Sequence, residues 1–508
     1  MIFMKAMKNK IFRAALLFVF VFQIEAENQP EGDWFSADTL SSVVKLSSIV
    51  QVFKVEGLPD NYKFHMKGEN PDFGDAVVLD ETVSLEHVGT GVVVNKTGLI
   101  LSNAHVTRAY SFPEIFSIPG PENRVQTGPN GKPVKYVRVN PFPDYMFVGV
   151  TDKDRIESGD DSQRLKYLAC VLADDPDYEN YVRDRAVLQI LATVNPDKNG
   201  NPVVGQKVSN LNLPFANLGN PFKMSFVDRK VRAIGFPGTG DPNRSARTSG
   251  ELLGYQNDSY SDVLHTSYIS GGNSGGGLFH KDCLIGINTW DKLENRSRPL
   301  AVAQPITYWY DMLFKVAWLY PKVDVPNVDL SWLEDDPSND AYKREVQAFF
   351  SLVSESNKNE PVTKGTLYVH RVDTEISDVF TYLDLAAELN AAWNVVQYLQ
   401  YYSVDEVVEK MGFSREFVGN FQGISKKQQI RDMVKPLRRP FFDEWYNGTF
   451  YCKSIRISDS EGKTAVSVPK NSKVHVTYVT EDGKRSTTFT LTTGDNYVQG
   501  PFTVSVVP

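Results

Sequence analysis

A chain of 508 residues, 41% hydrophobic and 23% charged, holds ample material for folded cores, and length alone suggests about three domains. The formal net charge of −8, an isoelectric point near 5.6 and the lack of any long basic run exclude a nucleic-acid-binding role. Three cysteines, Cys170, Cys283 and Cys452, exclude a disulfide scaffold, and their odd number leaves at least one free thiol.

In chain order, Lys5, Lys8, Lys10 and Arg13 precede the apolar run Ala14 to Ile24, eleven residues that are too few to span a bilayer but fit a signal-peptide core. Cleavage after Ala26 makes residues 1–26 a signal peptide. The expected protein is secreted or periplasmic, with no stable membrane span after cleavage. No cysteine follows the run closely, which argues against a lipoprotein.

Ser42 to Val55 reads as a first strand, and Gly89 to Gly98 as strand and turn, with Asn95-Lys96-Thr97-Gly98 at the tip of a hairpin. The returning strand, Gly98-Leu-Ile-Leu-Ser-Asn-Ala-His105-Val106, is apolar and β-branched, and His105 is the one histidine of seven placed at the exit of such a strand. The stretch before this hairpin is long, and Phe112 to Tyr145 is a Pro- and Gly-rich excursion. Either could gate a cleft or decorate it.

Asp184 opens Asp-Arg-Ala-Val-Leu-Gln-Ile at 184–190, a carboxylate immediately before an apolar strand. Gly272-Asn273-Ser274-Gly275-Gly276 puts a serine between glycines, on a turn whose backbone must approach a substrate closely. A nucleophilic serine needs a base to take its proton and an acid to orient the base, and His105 and Asp184 occupy suitable contexts for both. No Cys/His spacing suggests a metal site, no glycine-rich phosphate loop appears, and no cofactor is expected.

These residues resemble the trypsin-like serine peptidases, and within them the HtrA-type bacterial branch. Ser-Asn-Ala-His105-Val resembles the histidine motif, Asp184-Arg-Ala-Val-Leu-Gln-Ile the aspartate motif, and Gly271-Gly-Asn-Ser274-Gly-Gly-Gly-Leu the serine motif, in the family's order and separated by 79 and 90 residues. Arg232 to Pro237 and Arg247 to Gly250 resemble strands of the second barrel. Gly286 to Trp290 resembles the strand along which substrate backbone pairs. The likeness covers roughly residues 40 to 312. It implies two six-stranded antiparallel β-barrels with a catalytic group between them, made of His105, Asp184 and Ser274. It also implies an oxyanion hole from the N–H groups of Gly272 and Ser274. Substrate contacts fall by alignment on Tyr268, at the pocket base, and on Thr289, Trp290 and Asp291. Tyr268 suggests a shallow pocket for small or medium apolar side chains. Gly277 stands where the HtrA-type motif has proline, and no PDZ-like carboxylate-binding motif follows.

Beyond residue 312 the acidic stretch 323–340 reads as a linker. Ala341 to Val353, Asp378 to Tyr401 and Val404 to Met411 carry apolar residues at helical spacing, and Ser403 with Glu406 forms a capping box. After Phe441 the pattern changes to short alternating segments, Ser454 to Ser458, Lys473 to Val479 and Thr487 to Thr492, with a turn at Glu481-Asp482-Gly483-Lys484. The expected organisation is a peptidase domain over 35–320, a mostly helical region over 321–440 and a small antiparallel β module over 441–508. The expected function is secreted serine endopeptidase acting on protein or peptide substrates. The alternative is a catalytically idle trypsin-fold module that binds through its C-terminal regions. The order His, Asp, Ser and the lack of a Gly-x-Ser-x-Gly elbow exclude an α/β-hydrolase esterase.

Overall fold

The computed structural model describes residues 36–507 with interruptions, the longest at 176–183, 256–261, 292–299, 336–344 and 434–451; the expected signal peptide lies outside the described residues. The chain forms two compact units, the first made of residues up to 256 and 262–306, the second of 257–261 and 307–508.

The first unit contains two closed barrels. Its strands begin with β1 (Val43–Glu56), β2 (Val77–Val93), β3 (Leu99–Ser102), β4 (Glu114–Phe116), β5 (Val134–Val139), β6 (Tyr145–Val150), β7 (Arg164–Asp174) and β8 (Ala186–Pro196). Six of them close on themselves in the order β1-β2-β3-β8-β7-β6, with β6 returning to β1. Alternating β-branched and aliphatic residues fill the interior: Val44, Leu46, Val93, Ile100, Met146, Val148 and Leu188 are buried together.

The second barrel is built from β9 (Lys230–Gly235), β10 (Ala246–Tyr255), β11 (Val263–His265), β12 (Gly277–His280), β13 (Cys283–Asp291) and β14 (Ala301–Pro305). It closes as β9-β10-β11-β14-β13-β12. Val231, Ala233, Leu252, Val263, Leu278 and Ile285 make its core. The two six-stranded antiparallel barrels expected from the sequence are both present.

β1 and β2 are longer than the barrel needs. They stay paired from Val43↔Val92 out to Glu56↔Val77, and beyond the barrel β1 takes β5 as its second neighbour, from Gln51↔Val139 to Glu56↔Val134. The two long insertions therefore form one sheet extension, with a small core of Phe53, Val55, Leu58, Phe73, Val137 and Val139. Buried Glu56 ties down the Pro- and Gly-rich excursion by accepting from the backbone N–H of Asn130 at 2.8 Å and of Lys132 at 3.2 Å. A buried carboxylate is tolerated here because its oxygens are hydrogen-bonded.

The second unit corrects one element. Ala341 to Val353 does not form a helix; Glu345–Ser354 is a strand, paired with Lys463–Pro469 on one side and Val498–Val506 on the other. Val346, Ala348, Phe350 and Leu352 alternate into the core, and apolar Phe349 and Val353 between them hid that period of two. Thr366–Arg371 is a further strand, lying between Cys452–Arg456 and Lys473–Val479. Two of the strands read after residue 441, Cys452–Arg456 and Lys473–Val479, thus find a partner before residue 372, while Ser486–Thr492 pairs with Lys473–Val479. The helices Ile376–Leu399 and Val404–Met411 form as expected, the second with its capping box and a left-handed Gly412 at its end.

Candidate active site

β3 is buried along its whole length and delivers the chain into a one-turn helix, α1 (Ala104–Thr107), that carries His105. At the end of β3 the Ser102 hydroxyl donates to the Thr90 carbonyl at 2.7 Å. Asn103 then fixes three segments at once, its amide donating to the Asp184 carbonyl at 2.8 Å and to the Thr289 hydroxyl at 3.2 Å.

Asp184, immediately before β8, is fully buried. One carboxylate oxygen accepts the backbone N–H of His105 at 2.9 Å, and the other lies 2.5 Å from His105 Nδ1. A carboxylate accepts only, so the ring proton sits on Nδ1 and the Nε2 lone pair is free for a second partner. The imidazole side chain is 32% exposed, enough for a substrate to reach it. The Asp184 N–H donates to Gln304 Oε1 at 3.1 Å, and the nearly buried pair Arg185–Asp175, 3.0 Å apart, holds the start of β8.

The loop 270–276 carries Ser274. Its turns are closed by Asn273 N–H on Ser270 O and Gly276 N–H on Asn273 O. β2 grips it from one side, with Thr90 N–H on Ser274 O at 2.8 Å and Thr90 Oγ1 on Gly272 O at 2.8 Å. β13 grips it from the other, with Gly275 N–H on Asn288 O and Asn288 N–H on Gly276 O. Gly272 and Gly275 have φ of +94° and +82°. At Gly275 a Cβ would lie 2.0 Å from Thr90 O and 2.3 Å from Ser102 Oγ, atoms that cannot move without opening the loop. Gly275→Ala should therefore cost at least about 3 kcal/mol and abolish activity, read from the unfolding midpoint and turnover of the purified variant.

Among the described residues, neither Gly272 N–H nor Ser274 N–H donates to a protein acceptor. Two backbone donors left open two residues apart are what an oxyanion hole requires. The Ser274 hydroxyl donates to the Thr289 carbonyl at 3.2 Å, not to His105.

Of the expected substrate contacts, Thr289 is buried beside Ser274. Tyr268 is 55% exposed, and Thr248 Oγ1 donates to its carbonyl at 2.6 Å. Trp290 and Asp291 belong to β13 by their backbone, and their side chains lie outside the described residues.

Two histidines were not legible as site residues. His87 lies with Nδ1 3.1 Å from Leu46 O and Nε2 2.8 Å from Phe236 O, so one ring links the two barrels. A Cβ on Gly272 would come within 3.0 Å of His87 Nε2, which places this ring against Gly272. Burial holds its pKa below the ordinary value, opposed by the two carbonyls. No local motif marks it, because the contact exists only once the barrels are apposed.

His265, on β11, is wholly buried, and among the described residues neither ring nitrogen has a hydrogen bond of regular geometry, Asn288 being its polar neighbour. Burial pushes its pKa down to about 4 from 6.5, with neighbouring Asn288 opposing. The unfolded chain binds the extra proton between those values, so this contribution is complete above pH 6.5 and is lost as pH falls toward 4, about 3 kcal/mol in all. The urea midpoint should drop across that window, and His265→Leu should remove this part of the drop.

Cys170 and Cys283 are free thiols, both raised in pKa by burial. Among the described residues no cluster of His, Cys, Asp or Glu is arranged to hold a metal ion, and no helix is long and apolar enough to cross a membrane.

Residues 89–287 match the family model of the trypsin-like peptidase domain, and they lie within the unit that holds the two closed barrels. Among solved structures, the chain is similar to the HtrA-type protease AlgW with a decapeptide, at 20% identity and a TM-score of 0.31, over 54% of this chain and 63% of that one. It is similar also to AlgW with a tripeptide, at 20% identity and a TM-score of 0.29, over 53% and 60%. The aligned part thus spans less than two thirds of the AlgW chain in both. No curated protein sequence matches the chain.

Proposed function

We propose that this protein is a serine endopeptidase that hydrolyses peptide bonds of polypeptide substrates through an acyl-enzyme. The observation that carries the reading is the two-point grip of buried Asp184 on His105, with Asn103 joining Asp184 to Thr289 and Thr289 in turn accepting from Ser274, whose loop leaves two N–H groups undonated.

For attack, the Ser274 hydroxyl gives up the Thr289 carbonyl and donates to His105 Nε2 instead. Oγ attacks the substrate carbonyl carbon while Nε2 takes the hydroxyl proton. Asp184 stabilises the imidazolium that results, and the N–H groups of Gly272 and Ser274 hold the oxyanion. The C–N bond breaks as Nε2 returns the proton to the leaving amine. Water, deprotonated by Nε2, then attacks the ester and frees Ser274.

The test is covalent labelling of the mature protein with a fluorophosphonate, followed by intact mass. A single adduct, absent from Ser274→Ala, is the expected result. An unlabelled chain that also hydrolyses no peptide would leave the idle binding module as the better reading. Export is part of the proposal and rests on the basic-then-apolar segment from Lys5 to Ala26. The mature N-terminus, read by mass from an expressing cell, should then be Glu27.

A further inference from the structure

We infer that the outer edge of β2, from Val88 back to Val77, is a docking track for the part of a substrate that follows the scissile bond, paired with it as an added antiparallel strand. The inference rests on the peptidase reading and extends it to substrate choice.

Three observations lead to it. First, the loop carrying Ser274 is held between β13, through Asn288 and Thr289, and β2, through Thr90. A polypeptide that pairs with β13 and crosses Ser274 therefore leaves along β2, and it runs N to C opposite to the direction of that strand. Second, β2 is seventeen residues long. One edge pairs with β1 throughout, yet among the described residues the other edge has a strand partner only at Val92 and Val93, with Thr90 held by Ser274 and Ser102. An open edge of this length displays a row of unpaired N–H and C=O groups. Third, the side chains along it are exposed and apolar at Val77 (47%), Val78 (45%), Val83 (60%) and Leu85 (37%).

Charge selects the occupant. Between Val77 and Val93 the only charged residues are the acidic Asp80, Glu81 and Glu86. A second copy pairing edge to edge would bring a second set of three carboxylates against the first, and like charges across a strand pair are unfavourable. A strand-forming peptide with lysine or arginine among β-branched residues meets no such repulsion.

The probe is the fluorescein-labelled decapeptide Lys-Val-Thr-Val-Lys-Val-Thr-Val-Lys-Thr, followed by fluorescence anisotropy on the full mature chain carrying Ser274→Ala. Saturable binding is expected, weakened about tenfold or more when alternate residues of the peptide are N-methylated, because that removes the inter-strand donors without touching the protein. Val83→Lys with Leu85→Lys, both at exposed positions, should weaken binding similarly, because they remove apolar contacts and set like charges against the peptide's lysines. In an otherwise wild-type chain the same pair should leave hydrolysis of a short peptide ester unchanged. Equal affinity for the plain and N-methylated peptides would overturn the track. So would a sedimenting dimer that Val83→Glu with Leu85→Glu dissociates, since the edge would then belong to a second copy. Hydrolysis of the short ester by the wild-type chain reports on the peptidase reading separately, so either idea can fail alone.

Discussion

Ser274→Ala should lower turnover by about 10⁴- to 10⁶-fold and leave no fluorophosphonate adduct, with the fold unchanged. The size follows from what is lost: the atom that attacks, and with it the covalent intermediate. The fold should survive because the hydroxyl makes a single hydrogen bond, to the Thr289 carbonyl, while the loop is held by backbone contacts from Thr90, Asn288 and Asn273. A residual rate above background would come from the two open N–H groups, which the substitution leaves in place. Wild-type turnover with the hydroxyl gone would remove Ser274 from the chemistry. The check is kcat/KM on one peptide, with intact mass after labelling.

Asp184→Asn should cost about 10⁴-fold in turnover while KM changes little. The carboxylate accepts from both the backbone N–H and Nδ1 of His105. An amide has one acceptor oxygen. If that oxygen keeps the backbone N–H, the amide N–H₂ faces Nδ1 and forces the ring proton onto Nε2, where a lone pair is needed to deprotonate Ser274. Because the amide is nearly isosteric and Asn103 still holds the Asp184 carbonyl, the near-ultraviolet circular dichroism should stay native. The fluorophosphonate labelling rate should fall in parallel with kcat, since both need the same base. A labelling rate that stays at the wild-type value would show that His105 does not depend on Asp184 for its tautomer.

The open edge of β2 extends these ideas beyond the reacting atoms. If a substrate is held along a strand pointing away from Ser274, selectivity resides partly in residues the nucleophile never meets. Selection by β-propensity and charge would then matter alongside any side-chain pocket.

The sequence by itself determined the residues that lie close together along the chain or repeat with a short period. The hairpin with Asn95 to Gly98 at its tip, the buried run of β3, the carboxylate ahead of β8 and the glycines around Ser274 each follow from local sterics and alternation. The glycines are dictated by positive φ and by backbone atoms that a Cβ would strike. It also determined the Val404–Met411 capping box, a contact three residues apart.

Tertiary structure alone decided what depends on distant strands meeting. Glu345–Ser354 became a strand because its two flanking partners, Lys463–Pro469 and Val498–Val506, come from more than a hundred residues away, and their ladders outweigh a local pattern that reads as helix. His87 joined the site because closing both barrels brings the carbonyls of Leu46 and Phe236 to its two nitrogens. His265 was sealed into the second barrel, and the far end of β2 was left open, by the same fact. Which edge or face a strand buries is set by the neighbours it finds, and no residue encodes that alone.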